Sequence, residues 1–213
     1  MTGMIFGVGR RGAASVDLLG TAFFVKPGVF ATASHVVAGD DRNLVLAFKP
    51  SASIDDYQDT SDTKVQIVPV SLAGVDAFHD LAVLRTEKPE GQGGITIAGA
   101  DAAPVGTAVS IFGFPHANHG RLVLTRQDAA IGARVLIENG GVKAKHVVLN
   151  TQARPGQSGS PVLRQSDGFL VAVLIGSYAP GGGGGISLGG VDPHTLHQTT
   201  HAVSAEYLRK MLP

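Results

Sequence analysis

The chain has 213 residues, with 17 basic and 17 acidic side chains that cancel, and no cysteine. The charge balance argues against nucleic acid or an anionic membrane surface as the main partner. The missing cysteines exclude disulfides, thiolate catalysis and cysteine-based zinc sites. They also fit a reducing compartment, so a cytoplasmic location is expected, with periplasm or organelle the alternative if a leader has been removed. The opening residues MTGMIFGVGRRGAASVDLLG lack the basic-then-apolar order of a secretion signal. Arg10 and Arg11 are paired as in twin-arginine signals, but no apolar core of sufficient length follows them. The longest apolar run, residues 169–175, is too short to span a bilayer.

Short runs of β-type residues recur in chain order at 21–25, 29–33, 44–48, 65–72, 81–85, 108–112, 122–126, 135–137, 147–151 and 168–175. Most are rich in Val, Ile, Phe or Thr and bounded by Gly, Pro, Asp or Asn. Without long helical periods between them, they predict an all-β fold of barrels or a sandwich. A helix is expected only at the end, capped by Ser204 and running through AEYLRKML. Three stretches read as loops: the acidic 50–64, the KPEGQGG crossing at 88–94, and the glycine-rich 179–190.

Three segments carry chemistry. Ser158 lies in Arg154-Pro-Gly-Gln-Ser-Gly-Ser-Pro161. A serine hydroxyl needs a base to take its proton, and the carbonyl it attacks becomes an oxyanion that needs donors. Gly156 can turn its N–H inward without a Cβ clash, and the Ser158 N–H can point to the same spot. His35, in ATASHVVAG, follows a strand of small residues, a rigid place for a base. Asp80 opens the apolar run LAVLR, where a half-buried carboxylate can bind the distal N–H of His35. Asp76 is near in sequence but has no apolar strand behind it and ranks lower.

Together with GTAFFV at 20–25, the segments ATASHVVAG, HDLAVLR and RPGQSGSP resemble the landmarks of the chymotrypsin-like serine protease clan, most closely the HtrA-type proteases. The likeness runs through Gly113-Phe-Pro115 and the 168–176 strand to the final helix, over residues 18–212. It implies a single peptidase domain over 1–213, built of two six-stranded antiparallel β-barrels. The N-terminal barrel would span about 18–94, the C-terminal barrel about 95–203 and the helix about 204–212. It also implies a serine endopeptidase with His35 as general base, Asp80 as its orienting partner, Ser158 as nucleophile, and the Gly156 and Ser158 N–H groups as oxyanion hole. The partner would be a protein or peptide substrate, with no cofactor, and an activating partner is conceivable.

The sequence departs from the family in places. Gln157 stands where digestive and clotting enzymes carry an aspartate that pairs with a freshly cut N-terminus, so that activation route is not expected. Ser160 replaces the second glycine usually found after the nucleophile, and no PDZ domain is expected after the final helix. By the resemblance, Gln152 and the Leu174, Ile175 and Gly176 strand wall the specificity pocket. None is charged, which predicts a small or medium aliphatic P1 residue. The 181–190 stretch is expected to order around that pocket when substrate or an activator binds. His194, His197 and His201 have spacings that suit zinc on a helix, but 199–203 reads as a strand and no carboxylate joins them, so no metal site is expected. His116 and His119 are placed in an exposed loop. A latent or inactive peptide-binding module, or a protease acting only on its own chain or an associated partner, is the competing reading. An esterase on another fold is disfavoured, because no Gly-x-Ser-x-Gly elbow is present.

Overall fold

The computed structural model describes residues 2–89, 91–178 and 199–212. The 181–190 stretch, His194 and His197 lie outside the described residues.

The first lobe contains β1 (Ile5–Arg11), β2 (Val16–Lys26), β3 (Val29–Ala33), a one-turn helix α1 (Ser34–Val37), β4 (Leu44–Phe48), β5 (Gln66–Pro69), β6 (Ser71–Asp76) and β7 (Leu81–Arg85). They form a seven-stranded sheet in the order β5-β4-β1-β2-β3-β7-β6. Only Val70 separates β5 from β6, yet these strands lie at opposite ends of the sheet. The sheet is therefore curled until its edges meet at Val70, whose N–H donates to the Leu44 carbonyl (3.1 Å). Counted as the one run 65–72 seen in the sequence, β5 and β6 are a single strand broken at this corner.

The second lobe contains β8 (Ala108–Gly113), β9 (Thr125–Asn139), β10 (Val142–Leu149), β11 (Pro161–Arg164), β12 (Leu170–Tyr178), β13 (Thr199–Ser204) and the short helix α2 (Glu206–Arg209). Its six strands close a barrel in the order β10-β13-β12-β11-β8-β9. β9 is a 15-residue strand, where the sequence offered two separate runs. Its first part pairs with β8 and its second with β10. Gly132 sits in the middle because the Asn150 side chain occupies the space of a Cβ there.

Alternation along β2 shows why two lobes form around it. Ala22 and Phe24 join Phe30, Val36, Leu44 and Leu46 in the core of the first lobe. Phe23 and Val25 point the other way, into a cluster shared with Phe112, Phe114, Leu163, Val173 and Leu208 of the second lobe. A strand buried on both faces reads as a near-continuous apolar run, as TAFFV does. A separate cluster including Ile111, Ile131, Val147, Val171 and Leu174 fills the closed barrel.

The final helix differs from expectation. It has four residues, and Ser204 ends β13 instead of capping it. The Ser204 hydroxyl is buried and accepts the Ala100 N–H (2.9 Å), so it is not available to the helix.

Candidate active site

His35 lies in the first turn after β3, and Asp80 immediately precedes β7, the strand that pairs with β3. The register sets Ala33 against Leu81, so the residues that follow one and precede the other come together. The Ser34 N–H donates to the Asp80 carbonyl (3.0 Å). Asp80 Oδ1 accepts the Ser34 hydroxyl (2.7 Å) and the His35 N–H (2.9 Å), and Oδ2 accepts from His35 Nδ1 (2.6 Å). A carboxylate only accepts, so Nδ1 carries the proton and His35 Nε2 presents a lone pair. Burial opposes ionisation of Asp80, but the hydrogen bonds from His35 and Ser34 outweigh it and hold its pKa below the ordinary aspartate value.

Asp80 adopts φ +54°, a left-handed conformation that side chains rarely take. Asp76 shapes the turn before it. Its Oδ1 accepts the Phe78 and His79 N–H groups (both 3.1 Å), and its Oδ2 accepts from His79 Nδ1 (2.6 Å). The His79 ring stacks on Tyr207 of the second lobe at 3.7 Å. The two aspartates are thus separated by structure: Asp80 serves His35, and Asp76 serves the turn that carries Asp80.

The loop after His35 is held by Arg10. Its guanidinium donates to the carbonyls of Val37 (3.0 Å), Asp40 (2.8 Å) and Arg42 (2.8 Å). In the sequence Arg10 drew notice only through its pairing with Arg11. Here it is a strand residue that staples the His35 segment.

Ser158 sits between two tight turns. The Gln157 N–H donates to the Arg154 carbonyl (3.1 Å) with Gly156 at φ +91°, and the Ser160 N–H donates to the Gln157 carbonyl (3.0 Å) with Gly159 at φ +86°. Positive φ at the third position of each is a type II arrangement, which favours glycine. Space requires glycine as well. A Cβ on Gly156 would lie 2.5 Å from the Ala117 nitrogen and 2.6 Å from the Phe114 carbonyl, while one on Gly159 would overlap the Thr21 carbonyl and the Thr32 hydroxyl.

Thr21, fully buried on β2, pins this segment to the first lobe. Its N–H donates to the Ser158 carbonyl (2.9 Å) and its hydroxyl donates to the Gly156 carbonyl (2.9 Å) while accepting the Phe114 N–H (3.2 Å). The preceding Gly20 is the meeting point of the two halves. A Cβ there would stand 2.9 Å from both Val36 Cγ1 and the Ser158 carbonyl. Val36 follows His35, so the segment that carries His35 and the segment that carries Ser158 meet at this glycine.

Among the described residues, no hydrogen bond joins His35 to Ser158. The Ser158 hydroxyl donates to the Ile175 carbonyl (3.0 Å). The N–H groups of Gly156 and Ser158 have no acceptor among the described residues. They are the two donors that an oxyanion would need.

The residues expected to wall the pocket are placed differently from one another. Leu174 is 1% exposed with its side chain in the barrel core, and only its backbone reaches the site, accepting the Gly159 N–H (2.8 Å). Ile175 is the extra residue of a bulge in the pairing of β12 with β13, and its carbonyl faces Ser158. Gly176 follows it on the same strand. Gln152 is exposed, and its side chain accepts from Arg154 Nη1 (2.9 Å). His116 and His119 flank a short turn whose Ala117 packs under Gly156, and the His116 N–H donates to the Pro155 carbonyl (2.6 Å). This loop therefore buttresses the Ser158 segment. His201 lies on β13. No group of three or more metal-ligating side chains is found among the described residues.

Sequence reasoning missed Thr21, Ser34 and Arg10 as parts of this site. Thr21 had a signal, its place in GTAFFV, but an isolated Thr in a strand carries no sign of what it holds. The others act through partners more than 20 residues away, which local pattern does not reveal.

Comparison with known proteins agrees with this fold. The MamO protease domain from Magnetospirillum magneticum superposes with TM-score 0.70 at 15% identity, over 100% of this chain and 97% of that one. The Rv3671c protease from M. tuberculosis, in its active form, gives 0.70 at 18% identity, over 99% and 80%. The HtrA-type protease AlgW with tripeptide gives 0.66 at 18% identity, over 98% of this chain and 58% of that one. No curated protein sequence matches. These likenesses establish the chymotrypsin-like fold. The family model described as "Trypsin-like peptidase domain" matches residues 20–173, most of the chain and all three of the segments that bear His35, Asp80 and Ser158, and the chain belongs to that family.

Proposed function

We propose that this protein is a serine endopeptidase that cleaves protein or peptide substrates through an acyl-enzyme on Ser158. One observation carries the reading: the segment bearing a His35–Asp80 pair joined at 2.6 Å meets, at Gly20, the segment bearing Ser158, where the Gly156 and Ser158 N–H groups have no acceptor among the described residues. In the first step Ser158 exchanges its bond to the Ile175 carbonyl for one to His35 Nε2. The imidazole takes the hydroxyl proton as Oγ bonds to the substrate carbonyl carbon, and the carbonyl oxygen becomes an anion held by the Gly156 and Ser158 N–H groups. The imidazolium is stabilised by ionised Asp80 and then protonates the departing amine as the C–N bond breaks. Water attacks the acyl-enzyme by the same route, giving its proton to His35 and releasing the acid. Gln152, Ile175 and Gly176 bring no charge to the pocket, which favours a small or medium aliphatic P1 side chain.

The occupied Ser158 hydroxyl favours a second reading, a resting or peptide-binding form in which the nucleophile stays on Ile175. Labelling with a fluorophosphonate probe, read by intact mass, separates the two. One adduct on the wild type and none on Ser158→Ala is the expected result. A folded wild type that takes no adduct would leave only the binding reading.

A further inference from the structure

Gln157 directly precedes Ser158 and is 1% exposed, yet it is neutral and both ends of its amide are engaged. Its Oε1 accepts the Arg154 N–H (2.7 Å), and its Nε2 donates to Gln127 Oε1 (3.1 Å). Gln127 in turn donates from Nε2 to the Gln152 carbonyl (3.1 Å) and to the Thr151 hydroxyl. A backbone partner at each end fixes the orientation of both amides: the Arg154 N–H can only donate and the Gln152 carbonyl can only accept. The chain runs from residues 152 and 154 through Gln157 to Gln127, which lies on β9 opposite Ile111 of β8. It thus ties the turn of residues 154–157 to strand β9 of the closed barrel.

We propose that Gln127 is a positioning residue for the oxyanion turn, holding it through Gln157 so that the Gly156 and Ser158 N–H groups stay aimed and uncommitted. The inference rests on the peptidase reading above and adds how the site is kept ready without an ion pair. An aspartate in place of Gln157 could accept from Arg154 but could not donate to Gln127. A glutamine does both, so a neutral side chain locks the turn from within the folded chain. The cleft beside this chain is lined by Pro115, Arg126, Gln127, Gln152, Arg154 and Gln157 among others, so the lock stands at the edge of solvent rather than deep in a core.

The test compares wild type with Gln127→Leu, which keeps the bulk and removes all three hydrogen bonds of the amide, and with Gln127→Glu, which keeps an acceptor for Gln157 Nε2. Two quantities are read: hydrogen exchange at the Gln157 amide, and kcat and KM on a peptide substrate. In Gln127→Leu, exchange should accelerate by about 10-fold or more. Its kcat should fall by about 10- to 100-fold, less than the loss of a whole oxyanion donor, with KM held within about two-fold and the acid limb of the pH profile unmoved. Gln127→Glu should fall between the two. If Gln127→Leu does not fold, Gln127→Asn, too short to reach both partners, takes its place with the same expectation. Unchanged exchange overturns the proposal whatever happens to turnover, and so does a variant whose only change is a lower melting temperature. A wild type with neither turnover nor fluorophosphonate labelling would instead sink the peptidase reading, while the exchange data would still decide the role of Gln127.

Discussion

The two halves of the site are built on opposite terms. In the His35–Asp80 half the side-chain polar atoms are spent but for one: both Asp80 oxygens accept, His35 Nδ1 donates, and only His35 Nε2 has no partner among the described residues. In the Ser158 half the carbonyls are tied to Thr21, while the Gly156 and Ser158 N–H groups are left without acceptors. On the proposed peptidase reading, the base must be fixed in one tautomer and one direction before reaction. The donors must stay unspent until charge develops on the substrate. The fold supplies both by committing the side chains of one half and leaving two backbone N–H groups of the other unspent.

Each side of this contrast can be broken separately. Asp80→Asn keeps the shape but offers a donor where His35 needs an acceptor, and turnover should fall by about 10⁴-fold with little change in KM. The same variant should flatten the acid end of the stability curve. The Asp80 pKa is lowered in the fold, so its contribution is present above the ordinary value of 3.8 and is lost as pH falls through the lower folded value. Melting temperatures across pH 2 to 6 would show it (a range on the order of two units each side of 3.8). A wild type and variant with parallel curves would disprove the linkage.

Gly156→Ala attacks the other half. Its Cβ would press on the Ala117 nitrogen and the Phe114 carbonyl and displace one oxyanion donor. A loss of about 10²- to 10³-fold in kcat on a peptide substrate is expected, with KM little changed. Arg10→Ala loosens the His35 segment from behind by freeing three carbonyls. The smallest effect belongs here: a stability loss of about 1–3 kcal/mol in urea denaturation, with a several-fold drop in kcat. A stability loss with unchanged kcat would show that the His35 segment keeps its place without the staple.

The local rules reached what is written locally. Strand-forming runs, the glycines of the Ser158 turns and the choice of Asp80 over Asp76 all follow from a few neighbouring residues. β1 was invisible because IFGVGRR alternates poorly and contains two glycines, and it becomes a strand only by lying between β2 and β4. The middle of β9, QDAAIGAR, has small and polar residues, so its strand character comes from barrel closure and not from propensity. Ser204 reads as a helix cap until the distant Ala100 N–H claims its hydroxyl. The pairing of Gln157 with Gln127 spans 30 residues, and no pattern within either segment announces it.

Thr21 makes assembly of the site and docking of the lobes a single event. It belongs to a strand of the first lobe, yet it holds two carbonyls of the Ser158 segment in the second. The lobes cannot part, even slightly, while Ser158 keeps its position. Partial opening of such a molecule leaves no half-working form, so under denaturant the activity and the packing between lobes should disappear along one curve. A mutation deep in the Phe23–Val173 cluster, far from any substrate, would then lower turnover simply by raising the fraction of molecules that have come apart.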